Sequence, residues 1–381
     1  MLPAKSPHQK TCFQNGTASR LVLGGDMIIT KSLLEQIRQH EFESEGFVNK
    51  NIHQDNFQSE SIFQHEISSF IRSADLFVFN FEGVITSRTV PRPKILPSFF
   101  NFGSPPEFVQ FLKNFKSGAL VLSVANNHSL DFGEDALSEM MAILTQAGIG
   151  YVGGGRNVDE ATRPLIRQVG PLRLAILAYT DLLPWQYYAT PNQRGVAKLT
   201  LANLSRGIDF ARSSSADLII ISLHTVVDAR APFSFIPDAR QVYFSKLAID
   251  CGADIVFGHQ PAGLQHYARY RNGLIFYSLG AFLYDPAIGK YFPRGHESYD
   301  ATQVFGGALT DIRVCHHGFY TFDIRPITVI PAAKNKLYVT PDDRVRRLPL
   351  AFANWASRVI LEKLPPKVAE RPFVRKLLTA Y

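Results

Sequence analysis

Cysteine is scarce in this sequence: the chain of 381 residues contains three, Cys12, Cys251 and Cys315. Three cysteines so far apart along the chain cannot build a disulfide framework or a cysteine-rich zinc module. A reduced compartment is therefore the simpler expectation for this protein.

Long hydrophobic runs are missing as well. The longest uninterrupted apolar run spans residues 174–179, whereas a membrane-spanning helix needs about 18 apolar residues or more. The first 20 residues include basic side chains but no apolar core of a secretory signal. These absences predict a soluble, cytoplasmic protein without a transmembrane segment.

Positive charge is in excess in only one part of the chain. The net charge is +7, and the excess falls within residues 334–381. In that segment Leu348, Phe352, Trp355 and Val359 recur at helical spacing, which predicts an amphipathic helix. The helix would either pack its apolar stripe on the core or offer its basic face to an anionic partner. Nucleic acid is not expected as a partner, since no nucleic-acid-binding fold or regular aromatic interleaving is present.

Short apolar, β-branched segments alternate with segments of helical period, which indicates a layered α/β fold. Strands are predicted at 21–24, 76–81, 119–125, 172–179, 218–223, 255–257, 274–279 and 320–329, and helices at 31–39, 59–72, 105–114, 134–146 and 238–250. Nothing resembles a linker between independent domains. We therefore expect an N-terminal extension at 1–20, one large domain at 21–330 and a basic C-terminal helical segment at 331–381.

The proline-rich stretch 91–105 is the clearest predicted loop. It reads as a lid on the substrate side, and Lys94 within it is a candidate contact for a small-molecule or peptide-like anionic substrate. The glycines at 153–155 resemble a phosphate cradle, but no Gly-Lys-Ser/Thr follows them. A tight turn is the better interpretation of these glycines.

Polar side chains follow five of the predicted strands at their carboxyl ends. They are Asp26, then Asn80 and Glu82, then Asn126, Asn127 and His128 with Asp131, then His224, and finally His259. Open α/β sheets place their sites at this edge. The alternative to a functional role is a structural one. Asp26 would then cap a helix, and Asn126 would form hydrogen bonds that hold the end of a strand.

Carboxylate, amide and imidazole donors together suit a divalent metal such as Mn, Fe or Zn, as one ion or two. Such a site typically activates water for hydrolysis. His128, oriented by Asp131, is placed to protonate a leaving group. The residues alone therefore favour metal-assisted hydrolysis.

Six segments resemble the motifs of the CapA, or poly-γ-glutamate capsule biosynthesis, family. They are Gly25-Asp26-Met27, Asn80-Phe81-Glu82, ANNHSLDFG at 125–133, Gly153-Gly154-Gly155-Arg156-Asn157, GADIVFGH at 252–259 and Tyr277-Ser278-Leu279-Gly280. The resemblance covers about residues 21–329, and the segment 125–133 is its most specific part. It implies the calcineurin-like metallophosphoesterase superfamily, with a four-layer α/β/β/α sandwich and a two-metal site.

The resemblance also implies roles for individual residues. Asp26, Glu82, Asn127 and His224 would be metal ligands, His128 would be the general acid, and His259 would assist the metal. Asp228 stands where the family usually has a glutamate, and we take it as a candidate substrate contact.

The last motif departs from the family pattern. Gln260 and Ala262 occupy positions that typically hold imidazoles, so the metal site is partly degenerate. His266 would replace a lost ligand only if its loop folded back. Because these ligands are missing, the site is expected to hold a single ion or no metal.

Three functions remain open from the sequence. The first is a metal-dependent hydrolase or amide-bond enzyme, in which activated water attacks a γ-glutamyl-like amide or a phosphoester bond. The second is a non-catalytic binding or accessory protein with a degenerate metal site. The third is a metal-independent tailoring enzyme of secondary metabolism.

Overall fold

The structure is a computed structural model. It describes residues 18–30, 65–93, 100–113, 115, 118–225, 236–261, 263–284, 305–315, 320–332 and 336–341. The predicted helix at 31–39, most of the N-terminal extension and residues 342–381 of the basic C-terminal segment lie outside this part of the chain.

Strands and helices alternate along the described chain. The strands are β1 (Ser19–Ile28), β2 (Leu76–Phe81), β3 (Val84–Ile85), β4 (Gly103–Ser104), β5 (Leu120–Ser123), β6 (Gly150–Val152), β7 (Gly154–Gly155), β8 (Leu165–Val169), β9 (Leu172–Thr180), β10 (Gly195–Val196), β11 (Leu218–His224), β12 (Ile255–His259), β13 (Tyr267–Tyr270), β14 (Gly273–Phe276), β15 (Ala281–Tyr284), β16 (Phe305–Val314), β17 (Tyr320–Ala332) and β18 (Lys336–Pro341). The helices are α1 (His65–Arg72), α2 (Phe108–Leu112), α3 (Glu134–Gln146), α4 (Val158–Ala161), α5 (Leu201–Ser213) and α6 (Ala239–Cys251). The α/β class predicted from the sequence is confirmed.

Two large sheets organise these strands. The first has the order β18-β17-β16-β1-β2-β5-β6, and β15 also pairs with the second half of β1. The second has the order β13-β14-β12-β11-β9-β8. The centres of both sheets are parallel, namely β1-β2-β5-β6 and β9-β11-β12-β14. Parallel strands bring their carboxyl ends to one edge, and that edge carries the polar residues singled out in the sequence.

The second sheet is buried on both faces. Along β11, Leu218 and Ile220 join a core shared with the first sheet, whereas Ile219 and Ile221 pack with residues of α5 and α6. This two-sided burial explains why β11 is an unbroken apolar run rather than an alternating one. The two sheets therefore share one core, and helices cover the far face of the second sheet; the complete four-layer sandwich stays a prediction.

Several predicted boundaries are corrected by the structure. β1 runs to Ile28, so Asp26 lies inside the strand rather than after it. The ten-residue strand β16 was not predicted, because its glycines and charged residues interrupt the apolar alternation. Lys336–Pro341 forms a strand paired with β17, where a helical segment was expected. The first sheet therefore continues past residue 330, to Pro341.

The cysteines do not support the expected reduced compartment. Cys251 is free, whereas Cys315 is disulfide-bonded. Disulfides persist mainly in oxidising surroundings.

In the described part of the chain, no helix combines the length and the apolar character needed to cross a membrane.

Candidate metal centre

Asp26 is brought to the meeting point of the two sheets by an irregularity in β1. The register of β1 against β2 shifts between Leu23 and Asp26. Gly25 permits a close approach of the chains, because a Cβ there would lie 1.9 Å from the carbonyl oxygen of Gly280. The Asp26 amide then donates to that same oxygen at 2.8 Å. This fixes the Asp26 carboxylate in a position where it is only 3% exposed.

The Asp26 carboxylate is surrounded by donors from both sheets. Asn80 Nδ2 donates to Asp26 Oδ1 at 2.8 Å, and His259 Nδ1 lies 3.0 Å from the same oxygen. Burial by itself would raise the pKa of Asp26. The neighbouring His259 and His224, together with the Asn80 amide, outweigh burial and hold the pKa below its ordinary value. Asp26 is therefore ionised at neutral pH.

His224 and His259 end adjacent parallel strands and face each other directly. They are partners in the register of β11 and β12, and their ring centroids lie 6.2 Å apart. Asn80 Nδ2 lies 3.2 Å from His224 Nδ1, and Gln260 Oε1 lies 2.6 Å from His224 Nε2. Because an amide nitrogen donates and an amide oxygen accepts, these contacts assign the proton of His224 to Nε2.

Burial lowers the pKa of His224 to about 3. The imidazole is therefore neutral at physiological pH, which is the form that binds metal ions. A metal bound through His224 would have to displace either Asn80 from Nδ1 or Gln260 from Nε2.

Glu82 completes a three-residue cluster. One ligand atom from each of Asp26, Glu82 and His224 lies within 4.8 Å of the other two, and all three residues are buried. Glu82 Oε1 lies 4.0 Å from His224 Nε2 and 3.7 Å from His128 Nε2. Two carboxylates and an imidazole form a donor set that suits a divalent metal.

Further donor atoms of the predicted ligands are buried without partners. Asn127 Oδ1 and His259 Nε2 have no hydrogen-bond partner in the described part of the chain, whereas His259 Nδ1 lies 3.0 Å from Asp26 Oδ1. A buried polar atom left unsatisfied costs about 1–3 kcal/mol. A bound cation would satisfy such acceptor atoms, so the residues present fit a divalent metal.

His128 and Asp131 form a hydrogen-bonded pair beside the cluster. His128 Nδ1 donates to Asp131 Oδ2 at 2.7 Å, and the same oxygen accepts the backbone amide of Phe102 at 2.8 Å. The Phe102 ring lies against the His128 ring, with 4.0 Å between their centroids. This arrangement leaves His128 Nε2 directed towards Glu82, as a group that exchanges a proton near the cluster requires.

Asn126 has the structural role predicted for it. Its Nδ2 donates to the Phe81 carbonyl at 2.7 Å, and its Oδ1 accepts the His128 backbone amide at 3.0 Å. These bonds join the ends of β2 and β5 and hold the turn that carries His128.

A protein-family model matches most of this chain. The model described as "Bacterial capsule synthesis protein PGA_cap" matches residues 20–286. The chain belongs to this capsule synthesis family.

Two curated relatives share this similarity. The capsule biosynthesis protein CapA of Bacillus anthracis is 28% identical over 60% of this chain and 55% of its own length. The PGA biosynthesis protein CapA of Bacillus subtilis (strain 168) is 26% identical over 71% of this chain and 66% of its own length. The matched region therefore spans about half to two thirds of these relatives.

Among solved structures, a Mycoplasma pneumoniae phosphatase superposes with a TM-score of 0.44 at 10% identity. The superposition covers 82% of this chain and 94% of that one.

Gln260 stands, with Ala262, at a position where the resemblance led us to expect an imidazole, and its backbone conformation is unusual. Its φ angle is +97°, a left-handed conformation that is rare for residues other than glycine. Such strain persists only where the surroundings enforce it, and it clusters at functional sites. The sequence indicated a lost imidazole here, but it gave no sign that the amide would bind His224.

Other predicted site residues lie apart from the cluster or outside the described chain. Lys94, Asp228 and position 262 belong to residues that the structure does not describe. His266 packs its ring against Tyr277, with 5.2 Å between centroids. Asn80 was recognised only as a polar residue at a strand end, yet it joins Asp26 and His224 through one amide group.

Proposed function

We propose that this member of the capsule synthesis family is a metal-dependent hydrolase or amide-bond enzyme acting on an anionic, γ-glutamyl-like substrate. The observation that carries the proposal is the buried cluster of Asp26, Glu82 and His224, with ligand atoms within 4.8 Å of one another. Amide chemistry is favoured over phosphoester chemistry because the related proteins are named for capsule and PGA biosynthesis.

In this proposal Asp26, Glu82 and His224 hold one divalent ion, and Asn127 and His259 supply further donors. When bound, such an ion would polarise the scissile bond and activate a water molecule. Asn80 holds the Asp26 carboxylate and the His224 ring in fixed orientations. Lys94 and Asp228 stay predictions for substrate contacts.

His128 is the proposed general acid. Its Nδ1–H is held by Asp131, so a proton carried on Nε2 can be delivered to a leaving group beside the cluster. Asp131 also keeps the ring from rotating, since its Oδ2 is fixed by the Phe102 amide. The leaving amine or alcohol would depart on the side of the cluster where His128 lies.

Metal content tests this proposal directly. The protein purified without chelator is expected to contain about one equivalent of Mn, Fe or Zn by elemental analysis. Asp26→Ala and His224→Ala should each lose most of it. Asp254→Asn is the matched control, because the partly buried Asp254 lies at the opposite end of the strands, where its carboxylate accepts the Ile219 amide. If the metal content is unchanged in both site variants, the proposed metal site is wrong.

A second candidate function has one specific observation in its favour. Gln260 Oε1 lies 2.6 Å from His224 Nε2 and accepts its proton in a hydrogen bond. This contact is expected if the His224 nitrogen no longer binds a metal. The protein would then be a binding or accessory protein of capsule synthesis without catalysis. A metal-free wild-type protein that still binds an anionic substrate analogue would support this second function.

A further inference from the structure

A large cavity lies outside the metal centre, where the free edges of the two sheets meet. Its volume is about 1210 Å³, and its walls come from α3, α4, β6 and β8. Four arginines line it, namely Arg156, Arg163, Arg167 and Arg194, whereas Glu160 is the acidic residue among its lining residues. We call it the arginine cavity.

Arg167 occupies a position in β8 where an apolar residue would be expected. The residues two positions before and after it, Leu165 and Val169, pack into the core shared by the two sheets. Because alternate residues of a strand point to the same face, Arg167 is also directed inward. Gly150 of β6 leaves room for it, since a Cβ there would lie 3.0 Å from Arg167 Nη2. The guanidinium thus reaches from one sheet edge to the other.

This inward-facing cation lacks a partner for its Nε. Arg167 Nε is buried and has no hydrogen-bond partner within the described part of the chain. Burying a charged donor without a partner is costly, and proteins normally pair such groups. An anion bound beside Arg167 would satisfy this donor.

The arginines nearer the surface are only partly neutralised by the protein. Arg156 is paired with Glu160, with contacts of 2.5–3.0 Å. Arg194 shares the exposed carboxylate of Asp135 with Arg88. Arg163 lies 5.5 Å from the Phe210 ring centroid. The cavity therefore keeps a positive potential from its entrance to Arg167.

We propose that the arginine cavity binds an extended oligocarboxylate, with Arg167 as the deep anchor and Arg163 and Arg194 nearer the surface. The volume is at or above the range of about 300–1000 Å³ typical of drug-sized ligand sites, so several carboxylates fit. Planar guanidinium groups bind carboxylates through paired hydrogen bonds. The choice of carboxylate as ligand rests on the proposed function, but the location of the site does not.

The cavity is separate from the metal centre but adjacent to it. Gly153 forms part of its wall and packs against Ala125, one residue before Asn126. A polymer held in the cavity would therefore lie close to the turn that carries His128. This arrangement suits a site that retains a polymeric ligand while another part of it is at the centre.

Calorimetric titration with a short γ-linked glutamate oligomer tests this proposal. The full chain, kept in EDTA so that metal does not contribute, should show saturable binding. Arg167→Met should weaken binding about ten- to a hundredfold, as expected for loss of a charge-assisted hydrogen bond. Arg167→Lys keeps the charge without the planar fork and should give an intermediate loss. Arg269→Met is the matched control, since Arg269 lies on β13 at the opposite edge of the same sheet.

The possible outcomes separate this inference from the proposed function. Because the titration is made in EDTA, binding that persists there and is weakened by Arg167→Met belongs to the arginine cavity rather than to the metal. Equal binding by wild type, Arg167→Met and Arg167→Lys, or no saturable binding by the wild type, would overturn the cavity site. Inorganic phosphate that binds as tightly as the oligomer would overturn the assignment to an oligocarboxylate. Circular dichroism would verify that each variant is folded.

Discussion

The two halves of the metal centre differ in how their polar atoms are satisfied. On the side of β5, His128, Asp131 and Asn126 hold one another and the backbone through hydrogen bonds. On the side of β11 and β12, His259 Nε2 has no partner in the described part of the chain, and Gln260 has a strained backbone. We call these the acid half and the ligand half.

This difference indicates that the ligand half, rather than the acid half, needs a bound group from outside the chain. In the acid half the side chains of His128, Asp131 and Asn126 are satisfied by one another and by the backbone, whereas Asn127 Oδ1 in the same turn has no partner in the described part of the chain. The ligand half contains a buried ring nitrogen without a partner and a strained backbone. Such features persist in a folded protein where function requires them. A bound ion would therefore stabilise the ligand half and leave the His128–Asp131 pair nearly unchanged.

The largest expected effect comes from breaking the acid half. Asp131→Asn replaces an acceptor-only carboxylate with an amide, which permits the wrong tautomer of His128. Activity on a chromogenic γ-glutamyl anilide should fall about 10²–10⁴-fold, the contribution typical of a positioned acid. Metal content should stay at the wild-type level, because Asp131 is not among the clustered ligands.

His128→Gln is the companion variant for the acid half. It should lose activity to a similar extent, and the double variant should lose little more, since the two residues act as one unit. Additive losses in the double variant would show that the pair does not act together.

Acid should destabilise the metal-free protein through its buried histidines. Burial lowers the pKa of His224 to about 3 and that of His266 to about 4, from an ordinary value of 6.5. Below pH 6.5 the unfolded chain binds protons that the folded chain excludes, so stability falls as the pH decreases to these values. Each histidine should cost about 2–3 kcal/mol between pH 6.5 and 4.5.

Urea denaturation in EDTA across this pH range measures that loss. His266→Gln should remove its own share of the pH dependence and leave the share of His224. Added metal should protect the wild type near neutral pH, because only the folded chain presents the assembled ligands. A stability profile that is flat from pH 6.5 to 4.5 would contradict the neutral state of both histidines.

Much of the fold was readable from the sequence, because its parallel strands are apolar runs that end at polar residues. β2 and α3 have the predicted bounds, and Asp26, Glu82 and His224 converge as expected. β16 was missed because two adjacent glycines and three polar residues interrupt its apolar pattern, and it is held by pairing with β1 and β17. Such pairing is tertiary information that local propensity does not contain.

The contacts of the ligand half could not be read in the same way. Gln260 was recognised as a lost imidazole, but its hydrogen bond to His224 depends on a φ angle of +97° that no residue type other than glycine predicts. Arg167 was not singled out, because a single arginine in a short strand resembles any exposed basic residue. Only the packing of β8 against β6 shows that it faces inward.

Restoring an imidazole should sharpen the difference between the two halves. Gln260→His returns the residue type that typically stands at this position and removes the amide that occupies His224 Nε2. Metal affinity should rise about 10–100-fold, the scale of change seen when groups around a metal site are altered. Competition with a fluorescent chelator would measure it.

Gln260→Ala separates the two contributions to that rise. It removes the competing amide but adds no ligand, so an increase in metal affinity here would report competition alone. If Gln260→His leaves metal affinity unchanged, position 260 does not take part in the ligand half.

The smallest expected effect concerns the strain at Gln260 itself. Gln260→Ala and Gln260→Gly both lose the hydrogen bond to His224, but only glycine adopts a φ of +97° without steric cost. The glycine variant should therefore be more stable than the alanine variant by about 1 kcal/mol, even though glycine usually lowers stability through chain entropy. Urea denaturation at pH 7.5 in EDTA compares them. Equal stability would mean that the backbone at residue 260 relaxes once its side chain is removed, so that the hydrogen bond to His224 imposes the strain.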